Sequence, residues 1–179
     1  MSYFDRLDHY ELLKLDTEGF PAPRELPAGY EWAADIGVEA ERALLDPVFP
    51  GSHNATERRL AGWRDDTIVA VAHGGEPVAV CYVCADNQLG IEGYGELHYA
   101  AVLDEHKGKG LWGAMIREML RRAKAWGDVR GVIFVTDRKG PIEMYLRMGA
   151  QRIGTRPKGD ARPLWRRAAS RARRIVGGR

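Results

Sequence analysis

A change of hydrophobic period in the middle of the chain constrains the fold more than any other feature. The short β-branched runs DTIVAVA and EPVAVCYVCA predict two buried strands, and His73-Gly74-Gly75 between them predicts a hairpin turn. GELHYAAVL predicts a third strand. From Leu111 onward the apolar residues recur at helical spacing, which predicts a helix that ends near Gly127. GVIFVTD then predicts another strand, and PIEMYLRMG predicts a short helix with Pro at its start and Gly at its end.

This order of elements predicts one α/β (α+β) domain with a mixed, mostly antiparallel sheet flanked by helices. The long helix connects the strand at 96–103 with the strand at 132–137, so these two strands should run parallel. We place the domain at residues 1–155, and a chain of 179 residues is long enough for a single core of this kind.

The first 60 residues carry weaker signals. Residues 1–30 combine a short amphipathic stretch, YELLKL, with the turn-rich GFPAPRELPAGY, and we interpret them as an N-terminal extension wrapped on the domain. VEAERALLD and NATERRLAGW have helical spacing and predict two helices, with Asn54 or Thr56 as a cap for the second.

Bulk properties exclude several classes of protein. The first residues show no signal-peptide pattern and no run of 18 apolar residues occurs, which predicts a cytoplasmic protein without a transmembrane segment. Cys81 and Cys84 are too few for a disulfide framework. Their odd separation on a strand points the thiols to opposite faces, so we expect buried structural thiols and no metal site.

The stretch KGKGLWGA predicts an anion site. Gly108 and Gly110 deliver a strand directly into the N-terminus of a helix, where the first amides lack internal partners and the helix dipole adds positive potential. Lys107 and Lys109 add charge, and a phosphate or pyrophosphate is the expected ligand. The alternative is a tight connection with no ligand. The pattern is neither a Walker A loop nor Gly-x-Gly-x-x-Gly.

Charge is distributed unevenly along the chain. The net charge is +2, yet residues 150–179 carry ten Lys and Arg against one Asp, while the remainder carries seventeen against twenty-four acidic residues. RPLWRRAASRARRIV predicts a helical basic tail within 156–179, with apolar residues on one face. Such a tail either docks on the domain with a solvated basic face or binds a polyanion such as tRNA, DNA, an acidic protein or a membrane surface.

Two motifs resemble the GCN5-related N-acetyltransferase (GNAT) superfamily over roughly residues 66–155. ELHYAAVLDEHKGKGLWGAMIREMLRRA contains a turn similar to the family's Arg/Gln-x-x-Gly-x-Gly/Ala signature, whose amides bind the pyrophosphate of acetyl-CoA. The family's LYEKLGF-like helix is matched by MYLRMGA at 144–150. The resemblance implies a parallel strand pair splayed to form the cofactor cleft. It also implies acetyl-CoA or another acyl-CoA as co-substrate, and no metal.

The resemblance assigns roles to single residues. Tyr145 is the candidate general acid for the departing thiolate, with a core tyrosine as the alternative. The candidate cofactor-binding residues are Val102, Leu103, Lys107, Gly108, Lys109, Gly110, Trp112 and Gly113. Among them, Val102 and Leu103 offer backbone groups to the pantetheine arm. Lys107 stands where Arg or Gln is usual. Trp112 stands at the final Gly/Ala position, where it either crowds the pyrophosphate or turns into the core.

Glu96 and His98 are the candidate general bases. They lie two residues apart on the strand before the turn, which places Ala100 and Val102 on the same face. A carboxylate on an apolar strand is costly unless it is solvated, paired or used. Glu96 has a spacing to Val102 at which members of the family keep a water-linked base, whereas an imidazole titrates closer to neutral pH. A structural role is the alternative for both.

These observations predict an N-acyltransferase that moves an acetyl or similar group from acyl-CoA to a primary amine on a small molecule or peptide. One alternative keeps the fold but uses an aminoacyl-tRNA donor or acts on nucleic acid, with the basic tail as its RNA or DNA contact. Another is a binding module without enzyme activity. The sequence leaves the acceptor and the oligomeric state, a homodimer included, undetermined.

Overall fold

The computed structural model describes residues 5–34, 36–49, 68–85, 87 and 89–158. The predicted helix in NATERRLAGW and the predicted tail helix lie outside these residues. In the described part, the strands are β1 (Arg6–Asp16), β2 (Tyr30–Ala33), β3 (Ile68–His73), β4 (Glu76–Cys84), β5 (Tyr94–Val102), β6 (Gly131–Arg138) and β7 (Gln151–Pro157). The helices are α1 (Gly37–Leu45), α2 (Leu111–Ala125) and α3 (Lys139–Arg147).

The strands form one seven-stranded sheet in the order β2-β3-β4-β5-β6-β1-β7. Every neighbouring pair is antiparallel except β5 and β6, which run parallel and are connected through α2. The predicted mixed sheet, the parallel pair and the long helix are therefore confirmed. The predicted hairpin is also confirmed, and Gly74 and Gly75 at its turn have φ of 61° and 85°.

The interpretation of residues 1–30 as a wrapped extension is wrong for residues 6–16. These residues form β1, which lies inside the sheet between β6 and β7. Leu13 and Leu15 point into the core and are almost fully buried. A strand in this position is integral to the sheet because its removal would leave β7 without a partner. The strand β7 itself extends to Pro157, two residues beyond the predicted end of the domain.

The three helices lie on opposite faces of the sheet. The larger core cluster packs α2 and α3 against one face, through residues such as Met115, Ile116 and Tyr145. The smaller cluster packs Leu44 and Leu45 of α1 against the other face. The glycine turn before α2 and the later motif on α3 are therefore brought to the same face.

A wedge opens in the middle of the sheet. The parallel pairing of β5 with β6 extends only from Tyr94 and Gly131 to Leu97 and Phe134. Beyond that point the two strands have no paired residues, although both continue for several positions. This confirms the predicted splay of the parallel pair, and the candidate site lies in the wedge between the two strand ends.

Candidate active site

The glycine turn forms the N-terminus of α2. Gly108 and Gly110 both adopt left-handed φ, at 75° and 82°, which strongly favours glycine over residues that carry a Cβ. The first helical hydrogen bond is donated by the amide of Ala114 to the carbonyl of Gly110, at 3.2 Å. The amides of the three residues before Ala114 precede this ladder, so they are available to an anion.

Cationic side chains surround this turn. A Cβ built on Gly110 would lie 3.8 Å from a terminal guanidinium nitrogen of Arg24, so Arg24 reaches across the turn from the segment before β2. Arg117, one turn into α2, donates a hydrogen bond to the carbonyl of Gly113 at 3.2 Å. Lys107 pairs with Asp104, and the amino group of Lys109 lies 5.9 Å from the ring centroid of Tyr30.

The turn, with Lys107, Arg24 and Arg117, lines a first cleft of about 670 Å³, and the predicted residue Lys109 is not among its walls. Its walls include the predicted residues Val102, Lys107, Gly108, Gly110, Trp112 and Gly113, together with Arg24, His106, Arg117 and Arg138. His106 and the three arginines were not among the predicted site residues. The volume suits a ligand of cofactor size, and the positive charge suits a phosphorylated one.

The side chain of Trp112 packs against the core and lines the cleft at the same time. Its indole nitrogen is buried and has no hydrogen-bond partner among the described residues. Trp112 also lines a second cleft of about 380 Å³, which shares Val48, Ala100 and Arg138 with the first. Trp112 is therefore a shared wall of the two clefts, and it leaves the glycine turn accessible.

Backbone groups of β5 face the wedge near Val102. The amide of Leu103 donates to the carbonyl of Val78 at 3.0 Å, which makes these two a hydrogen-bonded pair of the antiparallel ladder. The next pair, Val102 and Ala79, is consequently non-hydrogen-bonded, and the N–H and C=O of Val102 point away from β4 towards the open wedge. The same holds for Ala100. Val102 therefore has outward-facing backbone groups, whereas the amide of Leu103 already donates a hydrogen bond within the sheet.

Tyr145 lines the second cleft from α3. Its ring is 3% exposed and stacks on Phe134, the last residue of β6 that pairs with β5. The phenol is thus held at the vertex of the wedge, beside the cleft that Trp112 shares with the glycine turn. The structure brings the two motifs of the sequence together at this point.

Glu96 and His98 were predicted to share a face with Ala100 and Val102, and in the structure they lie on the opposite face of the sheet. Tyr99 has φ of 31°, and the register of β5 against β4 shifts at this residue. The bulge reverses the alternation, so that Glu96 and His98 share a face with the α1-side cluster, whereas Ala100 and Val102 belong to the α2-side core. Glu96 is 1% exposed, and its Oε1 lies 3.7 Å from Nε2 of His98.

Other candidate groups behave as structural residues. Cys81 and Cys84 are buried free thiols, and burial raises the pKa of Cys81 above its ordinary value. Within the described ranges, no three His, Cys, Asp or Glu side chains converge to hold a metal ion. None of the helices in this part of the chain is long and apolar enough to cross a membrane.

Comparison with known proteins agrees with this geometry. The model of the Acetyltransferase (GNAT) family matches residues 26–150, which include both motifs and both walls of the wedge. The chain belongs to this family. No curated protein sequence matches it significantly. The strands β1 and β7, which complete the sheet, lie outside the range that the family model matches.

Solved structures share the GNAT fold at low sequence identity. A GCN5-related N-acetyltransferase from Sphaerobacter thermophilus is 16% identical, with a TM-score of 0.62, over 85% of this chain and 50% of that one. A tandem GNAT protein from the clavulanic acid biosynthesis pathway is 13% identical, with a TM-score of 0.63, over 87% and 53%. AAC(6')-Iy, solved with the bisubstrate analogue CoA-S-monomethyl-acetylneamine, is 18% identical, with a TM-score of 0.51, over 67% and 88%. The chain spans about half the length of the first two proteins.

Proposed function

We propose that this GNAT protein is an N-acyltransferase that moves an acetyl or similar acyl group from acyl-CoA to a primary amine. One observation carries the proposal. The first cleft combines the free amides of the glycine turn with a set of cations, and it continues past Trp112 into the second cleft, where Tyr145 lies. A donor bound by its pyrophosphate at one end can therefore present its thioester at the wedge.

The turn would bind the donor. The amides before Ala114 hydrogen-bond the pyrophosphate, and Lys107, which lines the cleft, adds positive charge together with Lys109 of the same turn. Arg24 and Arg117 extend this potential along the cleft. Guanidinium groups suit phosphate because their planar fork donates two parallel hydrogen bonds.

The open edge of β5 would position the acyl group. The outward N–H of Val102 or Ala100 donates to the thioester carbonyl or to the pantetheine arm, as an added strand would require. A donor amide aimed at the carbonyl oxygen stabilises the negative charge that develops there when the amine nitrogen attacks. Because the amide belongs to a sheet, it is fixed before the reaction begins.

Tyr145 would complete the transfer. As the amine nitrogen bonds to the carbonyl carbon, the carbon–sulfur bond breaks and the thiolate leaves. The phenol of Tyr145 gives its proton to that sulfur, and the acceptor nitrogen loses a proton to a base. Its position at the vertex of the wedge, in the cleft next to the turn, supports this role.

We assign the base to the Glu96–His98 pair, acting through water. The support is positional. Both residues flank Leu97, where β5 and β6 separate. The ring centroid of His98 lies 5.8 Å from that of Tyr99, and Tyr99 lines the second cleft. We expect Glu96→Gln and His98→Gln each to lower kcat/KM, compared per deprotonated amine. A variant with an unchanged rate would leave the residue a structural role only.

Isothermal titration with acetyl-CoA and with free CoA tests the proposed donor. We expect both to bind at micromolar concentration, and no binding of either at high micromolar concentration would contradict the proposal. An aminoacyl-tRNA donor would be favoured by a Trp112 that obstructs the turn and by the basic tail. Trp112 leaves a cleft of about 670 Å³, and the tail from residue 159 lies outside the described residues, so the described part of the chain does not favour that donor.

A further inference from the structure

Two arginines oppose each other in the second cleft. Arg6 on β1 and Arg138 on β6 are register partners in the antiparallel pair, and both line that cleft. Like charges directly opposite on paired strands destabilise a sheet. Within the described ranges, neither guanidinium forms an ion pair with a carboxylate. The arrangement therefore has an electrostatic cost.

The acidic residue in this cleft is already paired with another cation. Asp137 is the acidic residue that lines the second cleft in the described part of the chain, and it is 9% exposed. Its Oδ2 lies 2.8 Å from Nζ of Lys158, so its charge is already paired. The cleft therefore keeps a net positive charge beside Tyr145.

Arg138 is half-buried, and two effects disfavour its charge. Desolvation, followed by the neighbouring charge of Arg6, holds the pKa of Arg138 below its ordinary value, and Asp137 acts in the opposite direction. An oxyanion placed between the two guanidiniums would offset both effects. Carboxylate and phosphate have the geometry that two such planar forks bind.

The remaining walls define the rest of the ligand. The cleft holds about 380 Å³, which is the size of a small-molecule site. The rings of Tyr10, Phe49 and Tyr99 line it, and Phe49 meets Tyr99 edge to face at 5.1 Å. These rings provide contact for an apolar or aromatic body between the anion and the reacting nitrogen.

We propose that the acceptor of this enzyme is a small amine that also carries a carboxylate or phosphate, which Arg6 and Arg138 bind. Its body packs against the rings, and its nitrogen is directed to the wedge near Tyr145. This inference rests on the proposed function, because it assigns the second cleft to the acceptor. The competing occupant is a phosphate of the donor, since Arg138 also lines the first cleft, whereas Arg6 lines only the second.

Matched amine pairs test the inference. Acetyl transfer is measured with phenylalanine against phenethylamine and with phosphoethanolamine against ethanolamine, and rates are compared per deprotonated amine. We expect kcat/KM to be at least about tenfold higher for the anionic member of one pair, about 1.4 kcal/mol. The phenylalanine pair reports on carboxylate and the other pair reports on phosphate. Equal values within both pairs would overturn the inference while leaving CoA binding and acyl transfer intact.

Variants of Arg6 test whether this arginine binds the anionic group of the acceptor. Arg6→Gln should remove the preference without changing the Kd for CoA, and Arg6→Glu should remove it as well because the new carboxylate pairs with Arg138. Arg147→Gln is the control, since Arg147 is exposed on α3 and lines neither cleft. A weaker Kd for CoA in Arg6→Gln would assign the pair to the donor and overturn the inference.

Direct binding separates this inference from the proposed function. Calorimetry of the preferred anionic amine with the protein alone should show binding that Arg6→Gln weakens at least about tenfold. This measurement needs no donor, so it remains decisive even if CoA does not bind. Equal affinity of the wild-type and Arg6→Gln proteins would overturn the inference.

Discussion

The ring of Tyr145 stacks on the ring of Phe134, with centroids 4.0 Å apart and planes inclined by 18°. The stack joins α3 to β6 at the point where β6 stops pairing with β5. It fixes the phenol at the vertex of the wedge, so that the hydroxyl can be tested separately from the ring.

Tyr145→Phe should keep this stack and lose only the hydroxyl. If the phenol protonates the leaving thiolate, kcat falls by about 10²-fold or more while the KM for the donor changes little. Steady-state kinetics with acetyl-CoA measure the effect. Tyr94→Phe is the matched control: Tyr94 hydrogen-bonds Asp16 away from both clefts, so its variant should lose about 1 kcal/mol of stability and keep its turnover. Near-normal turnover in Tyr145→Phe would leave Tyr145 a core residue.

The glycine turn offers one position at which donor binding and stability can be tested separately. Gly110 is unsuitable for this test because its φ of 82° strains any residue with a Cβ, so a Val there would also lower the melting temperature. Gly113 has no such restriction, and a Cβ built on it meets only Arg117, at 3.5 Å. Gly113→Ala should therefore raise stability by roughly 0.5–1 kcal/mol through helix propensity. It should also weaken CoA binding because the methyl group enters the first cleft.

Calorimetry with CoA and thermal unfolding of the ligand-free protein measure these two effects of Gly113→Ala. A higher Tm together with a Kd raised about tenfold is the expected pair of results. A more stable protein with an unchanged Kd would place the donor away from the N-terminus of α2.

Local periodicity predicted the strands, the helix and the turn that make up the motif region, because each of those signals lies within a few residues of sequence. It did not predict β1, since the burial of Leu13 depends on pairing with Phe134, more than a hundred residues later. It did not predict the bulge either, because a tyrosine at φ of 31° gives no glycine signal at that position. For that reason, the prediction that Glu96 and His98 share a face with Ala100 and Val102 is wrong.

Arg24 is a candidate donor-binding residue that lies outside the two sequence motifs. It reaches the turn from an irregular segment, and its guanidinium lies across Gly110. Arg24→Gln should weaken the binding of CoA about tenfold and leave the binding of pantetheine, which lacks the pyrophosphate, unchanged. The loss should shrink as salt concentration rises, because exposed charges are screened. Arg147→Gln is again the control. An equal loss of affinity for CoA and pantetheine would show that Arg24 does not contact the phosphates.

The ion pairs of Glu118 should make the free energy of unfolding depend on pH. Its carboxylate accepts hydrogen bonds from Arg121 at 2.7 and 2.8 Å and from Arg122 at 3.0 Å, and Arg122 also donates to the carbonyl of Ile68 at 2.7 Å. The network connects α2 to β3. The hydrogen bond from Arg121 is the main reason that the pKa of Glu118 lies below its ordinary value.

The sign of this dependence follows from the lowered pKa. The unfolded chain binds a proton at Glu118 more readily than the folded protein does, so the contribution is present at neutral pH and is lost as the pH falls through the folded pKa. Glu118→Gln should cost about 1 kcal/mol at pH 7, measured by urea unfolding, and the cost should vanish in acid where the wild-type carboxyl is protonated. Glu143→Gln on the exposed side of α3 should cost little at either pH. A Glu118→Gln penalty that is equal at pH 7 and in acid would show that packing, and not charge, holds Arg122 in place.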